Sequence, residues 1–447
     1  MKHTTRSVFL SLLSTLTALQ ACSYQGEQTT AAGQSPRQTT GNISFLAFGD
    51  GGYHVDYPKL KHIQQPRNKA EFIAKEKQDW LEEHRPLAEF DHAPIYVYPG
   101  TNIATEQGGA GAVGQAMAKL CGQRACDFGI QLGDNVYPSG ADAGDGRDDQ
   151  KRMDDLILKP LLPLFKQAPG LVIYSALGNH DWKSSRKGVA LQSKWMSNQK
   201  NFHLDPRGYY RYRVGEPEQD IEFFVLDTNM LLSGQSFYEL PLNPDGSEMA
   251  LSQALANGSA ELEEVEPHES PVKGEDKKQL AWLEQGLANS TAKWKIVYGH
   301  HILWSVGGTK YSEGHVLRRL ILPSLCRYAD AYIAGHEHDL ELLSDDCSLY
   351  SSNNETRNKP PLPLIISGAA AKMRGKHTPF AEQQEQRYPQ YELLWSKSFV
   401  WGFAHIQVDN QAERLSVEFF TTPRDQSAEL LSQGRFSFEH RSDSLQR

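Results

Sequence analysis

Five short apolar runs in this chain each stop at a glycine followed by a side chain that can hold a metal ion. Ile43–Phe48 runs into Gly49-Asp50-Gly51-Gly52, and Phe128–Leu132 into Gly133-Asp134-Asn135-Val136-Tyr137. Leu171–Leu177 leads to Gly178-Asn179-His180-Asp181, Trp294–Tyr298 to Gly299-His300-His301, and Ala331–Ala334 to Gly335-His336-Glu337-His338. Runs of this kind, β-rich and bounded by glycine, read as buried strands. Singly, each ending is ordinary: a Gly-Asp turn is common, and a lone histidine is more often structural. Together they put Asp, Asp, Tyr, Asn and several His at the same end of successive strands, where ligands of α/β sheets gather. The glycines let the backbone turn tightly enough to aim short side chains at one point. A carboxylate such as Asp134 can bridge two cations, whereas a phenol such as Tyr137 coordinates only where a strongly Lewis-acidic ion displaces its proton.

Two more apolar runs, Ile221–Leu226 and Leu364–Ser367, read as strands, and Ala112–Leu120, Lys277–Ala288 and His315–Tyr328 read as helices. Strands alternating with helices predict an α/β sheet core. With 447 residues, 39% of them hydrophobic, the chain can bury a large core. Its net charge of −9 and lack of a basic cluster argue against nucleic acid as the main partner. Two stretches read as insertions, Val55–Thr105 and Phe237–Glu275, each either a flap over a site or a plain surface excursion. Gly109-Ala110-Gly111-Ala112-Val113-Gly114 matches GxGxxG, but no strand immediately precedes it, so it reads as a helix start rather than a dinucleotide site.

Met1–Arg6 is basic and Val8–Leu19 apolar, the pattern of an export signal too short for a membrane span. Leu19-Gln20-Ala21-Cys22 resembles a bacterial lipobox, which implies an envelope lipoprotein anchored to the membrane through Cys22. The alternative is plain cleavage near Ala21 and a soluble secreted protein. Residues 23–42 read as a flexible tether, leaving 43–447 as the catalytic domain. In an oxidising compartment Cys121 with Cys126 and Cys326 with Cys347 are natural disulfide pairs.

The ordered blocks GDxG, GDxxY, GNHD, VxxH and GHxH resemble the purple acid phosphatases of the binuclear metallophosphoesterase superfamily, in particular the small, tartrate-resistant type. The resemblance covers nearly all of residues 43 to 440. It implies a four-layer α/β/β/α sandwich with one metal site at Asp50, Asp134, Tyr137 and His338, and a second at Asp134, Asn179, His300 and His336. Fe(III) is implied in the first site and divalent Fe, Zn or Mn in the second. The ligand chemistry agrees, since carboxylates and a phenolate suit a hard trivalent cation and the Asn/His set a softer divalent one.

The implied activity is acid phosphatase: hydrolysis of small phosphomonoesters by attack of a metal-bound hydroxide. His180 matches the family residue for transition-state stabilisation and proton donation, with Asp181 expected to hold its ring. The chain departs from the family at Gly51, where the small enzymes often carry Trp, and at His301, where they often carry an aromatic. A histidine that relatives carry further on is missing; His301 and His315 are the candidate substitutes for it in catalysis, the alternative being that neither takes its place. A phosphodiesterase or nucleotide hydrolase on the same site is the alternative enzyme, and a non-catalytic envelope binding lipoprotein the alternative of another class.

Overall fold

The computed structural model describes residues 42–142, 144, 146–237, 243–244, 247, 249–258, 263–264, 274–350 and 359–441. The expected export signal, Cys22 and nearly all of the tether lie outside the described residues, as does much of the Phe237–Glu275 insertion.

Strand β1 (Asn42–Phe48) pairs in parallel with β2 (Phe128–Gln131), and β3 (Ile173–Ser175) and β4 (Phe202–His203) follow in the same sense. The chain then builds a second sheet from β5 (Tyr210–Val214), β6 (Ile221–Val225), β7 (Trp294–Tyr298), β8 (Ala331–Ala334), β9 (Leu340–Asp345), β10 (Leu362–Ser367) and β11 (Tyr391–Lys397), in the order β11-β9-β10-β8-β7-β6-β5. Within it β6, β7, β8 and β10 are parallel and the flanking pairs antiparallel. Strands β12 (Trp401–Asp409), β13 (Arg414–Thr422) and β14 (Leu431–Glu439) return to the first sheet as an antiparallel meander beside β1.

Side-chain alternation sets the layers. In the second sheet Phe223, Val225, Ile296, Tyr298, Ile333 and Ile365 point at the first sheet, while Phe224, Val297, Tyr332, Leu364 and Ile366 point away into a separate cluster. Phe223 meets Phe45 and Phe128 of the first sheet edge-on, with ring centroids 5.3 and 5.4 Å apart. Helices α1 (Ala110–Gln123) and α2 (Lys159–Gln167) cover the outer face of the first sheet, burying Val113, Met117 and Leu120, and Leu161, Leu164 and Phe165. On the outer face of the second sheet, α3 (Glu275–Asn289) buries Leu283 and Leu287, and α4 (Tyr311–Tyr328) buries Leu317, Ile321 and Leu325. These spacings place one apolar stripe on each helix. The result is a four-layer α/β/β/α sandwich.

The GxGxxG stretch opens α1, and its outer two glycines serve packing: a Cβ at Gly109 would lie 2.2 Å from the Trp401 ring, and one at Gly114 1.8 Å from the Pro160 carbonyl oxygen of the facing helix. Both expected disulfides are present, Cys121–Cys126 at the end of α1 and Cys326–Cys347 joining α4 to the end of β9. Among the described residues, no helix is long and apolar enough to cross a membrane.

The Val55–Thr105 stretch forms a helix over Lys69–Glu82, capped by Asn68, and a small hairpin. It folds back on the molecule: Arg85 donates to the carbonyls of Gly307 and Gly375, each at 2.7 Å, in the loops after β7 and β10. The insertion therefore borders the strand ends that carry the site.

Candidate metal centre

The carboxyl ends of the central parallel strands of both sheets are stitched together. Gly49 N–H donates to the Ser367 carbonyl, and Ser367 Oγ to the Ala47 carbonyl, each at 2.8 Å. Asp50 N–H donates to Gly133 O at 3.0 Å, and Gly335 N–H to His300 O at 3.0 Å. Three of the candidate ligands, Asp50, Asp134 and His336, turn out of their strands with φ of 58, 54 and 68°. Left-handed backbone is unusual for such residues and marks strain that the surrounding structure must hold. At Gly178 the approach is so close that a Cβ would sit 2.3 Å from both the amide nitrogen and Oδ1 of Asp134.

All seven expected ligands come together, and their atoms fall into two groups. In the first, Tyr137 Oη lies 3.1 Å from Asp50 Oδ1, 2.6 Å from Asp134 Oδ2 and 3.2 Å from His338 Nε2, with His338 Nε2 3.4 Å from Asp50 Oδ1. In the second, His300 Nε2 lies 3.1 Å from Asn179 Oδ1, 2.9 Å from His336 Nδ1 and 3.4 Å from Asp134 Oδ1. Asp134 gives one oxygen to each group. Ligands at about 2.0–2.2 Å from one ion stand about 3 Å from each other at right angles, which these separations match.

Hydrogen bonds behind the histidines fix which nitrogen faces inward. His300 Nδ1 lies 2.8 Å from the Leu132 carbonyl, which can only accept, so the proton is on Nδ1 and Nε2 keeps its lone pair. His336 Nε2 lies 2.6 Å from a Glu313 carboxylate oxygen, which likewise leaves the lone pair on Nδ1. Two lone pairs therefore face each other at 2.9 Å, with the Asn179 carbonyl oxygen beside them. A metal cation placed between them would satisfy all three acceptors at once.

The electrostatics agree. Burial, then Asp134, drives the Asp50 carboxyl well above its usual range, and the same two causes raise the Tyr137 phenol. Burial holds His336 and His338 well below the usual imidazole range, so neither supplies positive charge. Asp134 is opposite: burial pushes it up, but its neighbours, His300 first, then His180 and the hydrogen bond from Tyr137, together hold it well below the usual carboxylate range. Backbone amides complete the frame, His336 N–H donating to Asp50 Oδ2 at 2.8 Å and His180 N–H to Asp134 Oδ1 at 2.7 Å.

Residues 106–340, just over half of the 447-residue chain, match the calcineurin-like phosphoesterase family. The chain belongs to this family. It is 28% identical to tartrate-resistant acid phosphatase type 5 of Sus scrofa over 251 residues, 56% of this chain and 62% of that one. It is 26% identical to the Homo sapiens protein of the same name over 293 residues, 64% and 73% of the two chains. Against purple acid phosphatase 17 of Arabidopsis thaliana it is 26% identical over 267 residues, 58% and 63% of the two. The chain thus spans less than two thirds of the length of the pig relative. Among solved structures it shares the fold of GAP50, the anchor in the inner membrane complex of Plasmodium, with a TM-score of 0.53, 14% identity and coverage of 90% and 89%. Family and donor set together imply a binuclear metal centre.

The three residues expected to act in catalysis sit differently from one another. His180 stacks on Tyr137 with centroids 4.0 Å apart, its Nε2 4.0 Å from Asp134 Oδ2. Its Nδ1 lies 2.6 Å from the Pro138 carbonyl, so Pro138 rather than Asp181 holds the ring. The Asp181 carboxylate turns back and accepts from the amides of Gly178 (2.8 Å), Asn135 (3.0 Å) and Val136 (3.1 Å), clamping the two ligand turns together. Burial, then Asp134, pushes this carboxyl up to about 7. His301 is only 1% exposed, packs its ring 4.4 Å from that of His336 and places Nδ1 2.7 Å from Thr228 Oγ1. His315 packs against Phe237, ring centroids 4.6 Å apart. Sequence reasoning missed Glu313, whose only signal was its acidic character in the first turn of α4, and Lys183, whose Nζ lies 3.0 Å from His180 Nε2.

Proposed function

We propose that the chain is a metal-dependent phosphatase that hydrolyses small phosphomonoesters. The observation that carries this reading is the pair of donor groups sharing Asp134, with inward lone pairs of His300 and His336 fixed by Leu132 and Glu313. Asp50, Asp134, Tyr137 and His338 would hold Fe(III), and Asp134, Asn179, His300 and His336 a divalent Fe, Zn or Mn ion. When bound, such a pair supplies the charge that acidifies water and neutralises phosphoryl oxygens.

The chain's own residues do the rest. His180, with its ring fixed over Tyr137, presents Nε2 beside the centre; burial holds the imidazole well below its usual range, so it would give a proton to the departing alkoxide only after taking one up, as from the Lys183 ammonium 3.0 Å away. Lys183 next to it adds positive charge on that side. Asp181 acts through the turns it clamps, and His301 through the ligand rings it packs against, so both are positioning residues. The two disulfides support export to an oxidising compartment, in line with an exported lipoprotein or secreted protein.

Turnover of 4-nitrophenyl phosphate against bis(4-nitrophenyl) phosphate by protein loaded with iron and zinc tests the reading. Faster turnover of the monoester is expected. Preference for the diester would make the chain a phosphodiesterase, and no turnover of either would overturn the enzyme reading.

A further inference from the structure

Exposed aliphatic side chains gather in the Val55–Thr105 insertion. Of the eight large hydrophobic residues that lie exposed among the described residues, five belong to it: Leu60, Ile63, Leu81, Leu87 and Val97. The two most exposed of these, Leu60 at 59% and Ile63 at 55%, share the helix Leu60–Gln64, which buries none of its residues. They stand three positions apart and so share one face of that turn. Val97, 40% exposed, is close by in the fold: it pairs with Ala104, whose N–H donates to the Arg67 carbonyl at 2.8 Å. A helix this short draws its stability from packing, and this one packs nothing into the core. Aliphatic side chains left out together in this way mark an interaction surface.

The charge of the same stretch sets what that surface fits. Residues 57–70 carry Lys59, Lys61, Arg67 and Lys69 and no Asp or Glu, in a chain of net charge −9. Lys61, Arg67 and Lys69 form no ion pair with a carboxylate of the described residues. The acids on either side are turned elsewhere. Glu71 accepts from the Asn68 amide at 2.9 Å, and Asp56 lies 3.5 Å from His54 Nδ1. Aliphatic tips interleaved with cations match an anionic lipid surface, where Leu and Ile enter the acyl boundary and Lys and Arg stay with the headgroup phosphates. A chain exported and tethered through Cys22, as its sequence suggests, would work beside such a surface.

We propose that Leu60 and Ile63, with Lys61, Arg67 and Lys69 around them, dock the insertion on an anionic phospholipid surface. The insertion borders the strand ends that carry the metal donors, so docking sets the centre beside the membrane. This holds whichever phosphate ester the centre takes.

Amide hydrogen exchange of the full chain, with and without vesicles, tests the docking. Phosphatidylglycerol vesicles are expected to slow exchange over residues 57–70 by about tenfold, and phosphatidylcholine vesicles to leave it unchanged. A lipid or leader at the N-terminus would hold the chain on both kinds of vesicle alike, so the difference between them reports on the insertion. The protection shrinks at higher salt, and Lys61→Gln combined with Lys69→Gln raises the lipid concentration that produces it by about tenfold. Leu60→Ser combined with Ile63→Ser abolishes it. Neither side chain is buried, and unchanged exchange of β7 in the same sample shows that the variant keeps its fold. Exchange over 57–70 that phosphatidylglycerol leaves unaltered would overturn the proposal. So would equal protection by both lipids, or protection that survives the two serine substitutions. Protection that appears without vesicles and grows with protein concentration would also overturn it, making this face a contact between two copies of the chain.

Discussion

Glu313 holds the outer nitrogen of His336 at 2.6 Å, and thereby decides which face of that imidazole can bind a cation. The carboxylate comes from the first turn of α4, a different layer from the strand end that carries His336. Carboxylates behind ligand histidines fix the tautomer and raise ligand basicity. Glu313→Ala is expected to weaken binding of the ion in the His300/His336 group by about 10- to 100-fold, with Glu313→Gln less affected because its amide oxygen can still accept. Competition with a chelator reads this out; unchanged affinity in the alanine variant would remove Glu313 from the account.

A methyl group at Gly178 is a sharper perturbation. Its carbon would sit 2.3 Å from the Asp134 amide nitrogen and Oδ1, so the turn carrying Asn179 or the one carrying Asp134 must move. Because Asp134 belongs to both donor groups, Gly178→Ala should lower occupancy of both ions together. It should also destabilise the fold by about 1–3 kcal/mol, the usual cost of overpacking. Metal analysis with a thermal melt checks both; loss of one ion alone would contradict a shared carboxylate.

Tyr137→Phe leaves the ring that supports His180 and Tyr53 and removes only the phenol oxygen. With Fe(III) in the first group the parent protein should absorb in the visible through phenolate-to-metal charge transfer, and the variant should be colourless with its fold intact. A visible spectrum of the iron-loaded pair, with circular dichroism as the folding control, decides it. Colour retained in the variant would mean that another group supplies the band.

How far the sequence revealed this arrangement depends on what each residue answers to. Strands β1, β2, β6, β7, β8 and β10 are almost wholly buried, so they read as continuous apolar runs, and six of the seven candidate ligands follow β1, β2, β7 and β8, with Asn179 following the shorter β3. The meander β12–β14 is harder to read: β12 and β13 are largely buried but carry His405, Gln407, Ser416 and Glu418 among their apolar residues, and β14 has no fully buried side chain and looks like polar chain until it is seen pairing with β13. Glu313 and Lys372 lie far along the chain from their partners His336 and Glu106, and only the packing of α4 and of the loop after β10 brings them in. Asp181 shows the opposite failure. Its place beside His180 suggested that it holds the ring, but the one-turn helix there directs the carboxylate back to the amides at its own start.

Away from the centre, Asp227 caps the short helix Thr228–Leu232 and accepts from Met230 N–H at 2.9 Å and Trp182 Nε1–H at 3.0 Å. Burial outweighs these bonds and pushes its carboxyl up to about 7, from an ordinary value of 3.8. The folded chain therefore keeps a proton that the unfolded chain releases, so this group's contribution to stability is full below about pH 4 and is lost as pH rises through about 7. Asp227→Asn cannot ionise. Melting temperatures measured from pH 4 to 8 should show the variant gaining on the parent as pH rises; a constant difference would mean that Asp227 titrates alike in both states.

The central claim is that Asp50, Asp134, Tyr137, Asn179, His300, His336 and His338 enclose two cations, and anomalous diffraction from crystals of the metal-loaded protein tests it most directly. The account predicts two peaks about 3.5–4 Å apart, one within each donor group and both touching Asp134. A single peak, or peaks away from these side chains, would contradict it.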